Sequence, residues 1–164
     1  MPELLFTLLA LLAIGSGPQA ARSRYGGDEC GASVESPHKL EHERQPTAGG
    51  TATMHHYSAK VRGTLFRLFC GRDASITAAS DDLFASYRDG FLNDDPSQLV
   101  EERVVTLNGA VGREIHGAEP DGTHSIVRVF IVPGGAFGAM VSGSKQAVLS
   151  EEARAFLDSL QLDR

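Results

Sequence analysis

Four apolar stretches separated by three turn signals constrain this chain more than any other feature. Residues 99–107, "LVEERVVTL", end at Asn108-Gly109, a dipeptide suited to the positive φ values of a tight hairpin. "AVGREIHG" (110–117) runs into "AEPDG", where Pro120-Asp121-Gly122 supplies turn chemistry. "THSIVRVFIV" (123–132) turns at Pro133-Gly134-Gly135, and "AFGAMV" (136–141) follows. The short loops force each strand back beside the one before it, so this half of the chain predicts an antiparallel meander.

The first half adds three strands and a helix. "GASVESP" (31–37) reads as a strand closed by proline. "TATMHHYSA" (51–59) and "GTLFRLFC" (63–70) read as two more, the second apolar enough for burial on both faces. "HKLEHERQPTAGG" (38–50), between the strands at 31–37 and 51–59, is polar, with Pro46 and Gly49-Gly50, and reads as a loop. In "SDDLFASYRDGFLND" Ser80 fits an N-cap, Asp81 and Asp82 suit the first turn, and Leu83, Tyr87 and Phe91 recur at i, i+4, i+8 with Phe84 beside them. Gly90 weakens that helix by roughly 1 kcal/mol relative to alanine. "SEEARAFLDSLQL" (150–162) predicts a terminal helix capped by Ser150 and buried through Ala153, Phe156, Leu157 and Leu160. The expected fold is a single α+β domain of residues 31–164, layered around one central antiparallel sheet flanked by helices, with no internal repeat.

The N-terminus carries a different signal. "LLFTLLALLAI" (4–14) is too short for a bilayer span, which needs roughly 20 residues, but it fits the apolar core of a secretory signal peptide. Residues 1–21 are therefore expected to be a signal peptide, leaving a protein with no stable membrane span that is secreted or periplasmic. Residues 22–30 read as a flexible lead-in. The two cysteines, Cys30 and Cys70, suit an exported protein, as one disulfide or as two buried thiols. A net charge of −6 with no run of lysine or arginine argues against a nucleic-acid partner.

Residues that could carry chemistry are few. His38 and His42 are spaced i, i+4 and would align on a helical turn started by Pro37. Two imidazoles are half a zinc site, which needs four ligands or three and water, so a solvated loop is the favoured reading. His55 and His56 are adjacent and point to opposite faces of a regular strand. His116 and His124 flank the "GAEPDGT" turn and read as exposed turn residues. Arg128 interrupts an apolar strand and needs a partner if buried, with Glu114 the natural candidate if the register places them on one face. Arg113, Glu114 and Arg128 are thus candidates for a ligand-binding cleft, against a structural ion pair. "GAMVSGSK" (138–145) lacks the Gly-Lys-Ser/Thr of a phosphate loop, and no Gly-x-Ser-x-Gly elbow is present. No catalytic constellation emerges, and no cofactor is implied.

The order of elements, with "LNGAVGREI" (107–115), "VRVFIV" (127–132) and "FLDSL" (156–160), resembles the PsbP-like fold family, including its exported bacterial members. That fold is shared by an extrinsic photosystem II subunit and a Ran-binding nuclear transport protein. The resemblance spans roughly residues 30–162 and implies an α/β/α sandwich. Where relatives often open the last strand with arginine and tyrosine, this chain has "GGAFGAM", losing a polar handle. The family's best-known members bind partners, so the resemblance implies an unknown protein partner and no reaction. The alternative is an exported small-molecule or metal-binding protein.

Overall fold

A computed structural model describes residues 21–47 and 52–163. The apolar segment of the expected signal peptide lies outside the described residues. In chain order the elements are β1 (Ser23–Gly27), β2 (Ala32–Ser36), β3 (Glu41–Pro46), β4 (Thr53–Val61), β5 (Thr64–Arg72), α1 (Asp81–Phe91), a 3₁₀ turn (Pro96–Gln98), β6 (Leu99–Leu107), β7 (Ala110–Ala118), β8 (His124–Val132), β9 (Gly135–Gly143), α2 (Lys145–Val148), α3 (Glu151–Asp158) and β10 (Gln161–Leu162). Antiparallel sheet dominates, with three helices. A seven-stranded sheet runs β3-β4-β5-β9-β8-β7-β6, and a three-stranded sheet runs β1-β2-β10.

Local chemistry explains the elements. Asn108 and Gly109 both adopt positive φ, 51° and 83°, so β6 and β7 meet in a two-residue turn. The Ser80 hydroxyl accepts the Leu83 N–H at 3.2 Å and caps α1, and Ser150 accepts the Ala153 N–H at 3.1 Å and caps α3. Helix α1 stops at Phe91, short of the expected Asp94, because Asn93 and Asp94 turn left-handed.

Four expectations need correction. Residues 22–30 are not a loose lead-in: β1 pairs with β2 from Ser23↔Ser36 to Gly27↔Ala32, and Arg24 reaches Glu35 at 2.7 Å. The folded unit thus begins before residue 31. The loop expected at 38–50 contains β3, which pairs with β4 yet has every residue exposed. An edge strand held by backbone pairing alone carries no apolar alternation, so it reads as loop. The terminal helix ends at Asp158, and Gln161–Leu162 turn away to pair with Ser33 and Ala32. Finally, β5 is not sealed equally on both faces. Phe66, Leu68 and Cys70 are buried, whereas Leu65, Arg67 and Phe69 are half-buried.

Two core clusters follow from strand alternation. On one face Phe66, Leu68, Phe130, Phe137 and Val141 pack with Val148 of α2, Phe156 and Leu157 of α3, and Ala32 and Val34 of β2. On the other, Ile115, Val127, Val129 and Ile131 pack with Phe84 of α1. Cys30 and Cys70 form a disulfide with Cα atoms 5.4 Å apart, joining the β1–β2 turn to β5.

Candidate functional site

The register of the large sheet aligns Arg103, Glu114 and Arg128 directly across β6, β7 and β8. All three side chains share the face that carries α3. Arg103 Nε donates to Glu114 at 2.8 Å, the Arg128 guanidinium donates to the other Glu114 oxygen, and Arg128 also donates to Asp158 of α3 at 2.6 Å. Burial alone would lower the Arg128 pKa, but the Glu114 and Asp158 hydrogen bonds raise it above the ordinary arginine value. The Glu114 partner expected for Arg128 is the one found. The network therefore locks sheet to helix.

Beside this network a cleft of about 440 Å³ lies between β6–β8 and α2–α3. Its charged lining includes Arg103, Arg128 and Arg154 against Glu101, Glu114 and Asp158. Three positive groups face three negative ones, so the cleft presents no net charge to draw an ion. His116 also lines it and shares a 3.0 Å N···N hydrogen bond with His124. These two are half-buried partners rather than exposed turn residues. Burial, then the neighbouring His124, hold the His116 pKa below its ordinary value of 6.5.

Arg113 does not join them. Its neighbour Glu114 points to the α3 face, so Arg113 points to the α1 face. There its guanidinium lies 4.6 Å from the centre of the Phe84 ring and 3.0 Å from Asp81, pinning the start of α1. A cleft shared by Arg113 and Arg128 is therefore excluded.

The histidines separate in an unexpected way. His38 and His42 do not share a helical turn, since β3 begins at Glu41. His38 instead contacts Glu152 in the first turn of α3 at 2.7 Å. His42 lies on the exposed edge strand, where pairing sets it opposite Tyr57 and sets Arg44 opposite His55. His42 Nε2 approaches His55 Nδ1 at 3.1 Å, and the Tyr57 ring stacks parallel on His42 at 4.2 Å. Glu29, from the β1–β2 turn, completes the group, with Oε2 3.9 Å from His55 Nδ1. Arg44 donates to both Glu29 oxygens at 2.8 Å, which holds the Glu29 pKa below the usual carboxylate range. Burial, then His42 and Arg44, lower the His55 pKa. His56 points to the other face, where its Nδ1 is buried without a hydrogen-bond partner and burial lowers its pKa.

Sequence reasoning named His42 and missed Glu29 and His55 as its companions. The signal was alternation: His55 shares a face with Tyr57 and Cys70's cross-strand position, and β3 had only to be read as a strand. Glu29 was unreachable without the fold.

The α1 face holds a separate cavity of about 340 Å³. Phe69, Tyr87, Phe91, Val127, Val129 and Met140 line it, with Ser86 and Gly90 of α1 at its margin.

No family model and no curated protein matches the chain. Among solved structures, the solution structure of cyanobacterial PsbP (CyanoP) from Synechocystis sp. PCC 6803 is similar, with a TM-score of 0.60 at 11% identity. The match covers 93% of this chain and 98% of that one. A crystal structure from Bacteroides thetaiotaomicron VPI-5482 reaches a TM-score of 0.38 at 14% identity, over 81% of this chain and 45% of that one, too low to bear on the fold. At these identities the likeness concerns architecture alone, and the chain has a PsbP-like fold.

Proposed function

We propose that this chain is an exported domain that binds a protein partner and performs no reaction, taking an apolar group of that partner into the cavity beside α1. The observation that carries the reading is the cavity's chemistry. Its walls are aromatic and aliphatic, and the polar side chains among its lining residues are those of Ser86 and Tyr87. Burial raises the Tyr87 phenol pKa, so that group stays neutral and suits binding rather than proton transfer. The mouth is kept open because residues 86 and 90, one helical turn apart, are small. The apolar 4–14 segment supports export. The two core clusters, one holding Phe84 of α1 and the other Phe156 of α3, support the α/β/α sandwich of the PsbP-like family, whose best-known members work through partners.

The test is saturable binding of an apolar fluorescent probe such as anilinonaphthalene sulfonate to the folded chain, compared with Gly90→Leu. A Cβ at Gly90 meets no atom within 4 Å, so the larger side chain has room to fill the mouth without breaking the helix. Loss of probe binding with cooperative melting retained is the expected result. Probe binding that is absent in the parent, or untouched by Gly90→Leu, refutes the assignment of the cavity.

A further inference from the structure

We propose that Glu29, His42 and His55 form a binding site for a divalent transition-metal ion of the zinc class. The site is independent of the apolar cavity, because it lies on the opposite face of the sheet. Four ligands at zinc's bond lengths sit roughly 3.3 Å from one another in a tetrahedron. The His42 and His55 nitrogens are 3.1 Å apart, and His55 Nδ1 and Glu29 Oε2 are 3.9 Å apart. All three donor atoms fall within 4.8 Å of one another, so closing their separations to the tetrahedral value takes at most about 1.5 Å, within reach of side-chain rotation at exposed Glu29 and His42. Among the described residues no other group of three such donors converges this closely.

Three features fix the donors in place. Cross-strand pairing puts both imidazoles on one face, because His42 and Arg44 alternate with residues pointing away, and Arg44 lies directly opposite His55. Tyr57 stacks on His42 at an interplanar angle of 0° and sets the plane of its ring. The disulfide supplies the third: Glu29 precedes Cys30, and Cys70 pairs with His55 across β4 and β5. The covalent bond thus delivers the carboxylate to the histidines.

Arg44 is the competing charge. An ionised carboxylate offers about four acceptor positions on its two oxygens. Glu29 can therefore ligate through the oxygen nearer His55 and keep Arg44 on the other. A hydrogen-bonded ligand carboxylate is the usual arrangement around bound metals. Two imidazoles and one carboxylate leave the fourth position to water, since Glu29 and His42 are exposed. Imidazole donors favour zinc or copper(II) and disfavour calcium and magnesium, which seek oxygen. The other histidine pair lacks this completion: Glu114 is committed to Arg103 and Arg128, and Glu101, paired opposite His116, does not bring a carboxylate oxygen close enough to both imidazoles to form a convergent trio.

The experiment is isothermal titration of the full, disulfide-intact chain with Zn²⁺ alone, in parallel with His42→Ala, Glu29→Gln and His116→Ala. His42 sits exposed on an edge strand, so its removal leaves the fold, checked by melting, intact. One equivalent of zinc is expected to bind the parent and His116→Ala alike. Affinity should fall at least roughly tenfold in His42→Ala and in Glu29→Gln, and Ca²⁺ should give no binding. A parent that takes up no zinc overturns the proposal. So does uptake unchanged by His42→Ala, or uptake that disappears in His116→Ala.

Discussion

Replacing Glu114 with glutamine tests whether the charges in the α3 cleft hold the fold or stand ready for a ligand. The Glu114 side chain is 12% exposed, Arg128 is 18% exposed and Arg103 is 56% exposed. The Arg103 contact is therefore mostly solvated and contributes roughly 0.5 kcal/mol. The Arg128 contact is charge-assisted and half-buried, worth roughly 1.5–3 kcal/mol. Glu114→Gln should then cost about 2–3 kcal/mol, lowering Tm by roughly 5–10 °C for a chain of this size. Asp158 moderates the loss, because it still holds Arg128 at 2.6 Å. Urea unfolding of two double-mutant cycles separates the contributions, one pairing Glu114→Gln with Arg128→Met and one with Arg103→Met. A coupling of about 1.5 kcal/mol or more is expected with Arg128, and about 0.5 kcal/mol with Arg103. If the Arg128 coupling is no larger than that of Arg103, the network is solvated and the reasoning fails. The cleft's guanidiniums would then be free to meet a ligand.

Four further outcomes are expected. Phe156→Ala removes a ring that is 1% exposed and packs edge-on against Phe66, and should cost about 3–5 kcal/mol in chemical denaturation; a change below about 1 kcal/mol would mean that α3 is not docked. Gly90→Ala should stabilise by about 0.5–1 kcal/mol, whereas Gly138→Ala should destabilise by about 1–3 kcal/mol, because its Cβ would overlap the Phe69 ring and the Arg128 carbonyl oxygen; equal effects at the two sites would contradict this packing. Burial holds His55, His56 and His116 below 6.5, so the unfolded chain binds protons there that the folded chain does not; stability should be full above about pH 6.5 and fall as pH drops through it. A Tm profile that is flat between about pH 7.5 and 5, or as steep in His56→Leu as in the parent, counts against that account. Replacing Cys30 and Cys70 by serine opens a link across a sequence separation of 40 and should cost about 2–4 kcal/mol, measured by urea unfolding against the oxidised parent.

What could be read from the chain divides along a physical line. The meander β6–β9 was legible because Asn108-Gly109 and Gly134 adopt the positive φ that their residue types announce. Helices α1 and α3 were legible because serine caps and apolar spacing agree. Strands β1 and β3 were not, because their stability comes from neighbours rather than from their own pattern. In β3 all six residues are exposed. In β1 only Tyr25 reaches the core, and its pairing depends on β2 and on Arg24 bonds to Glu35 and Gln161. Arg113 could have been assigned correctly from parity alone: adjacent strand residues cannot share a face, so Arg113 and Glu114 could never have lined one cleft. The Glu114–Arg128 pair needed the register, which the turn between Ala118 and His124 fixes.

The histidine question has the same structure as the strand question, and the disulfide decides it. His42 and His55 are thirteen residues apart, and Glu29 is thirteen residues before His42; no spacing rule connects the three. Their meeting requires β3 to pair with β4, and the β1–β2 turn to be held against β5. The first is backbone hydrogen bonding on an exposed edge, which contributes little on its own. The second is covalent. Opening Cys30–Cys70 would leave the histidine pair on its strands and release the carboxylate that completes the trio. Metal affinity should therefore weaken in the chain carrying Cys30→Ser and Cys70→Ser, which opens the link without supplying thiolate ligands beside the site, while the His42–His55 contact persists.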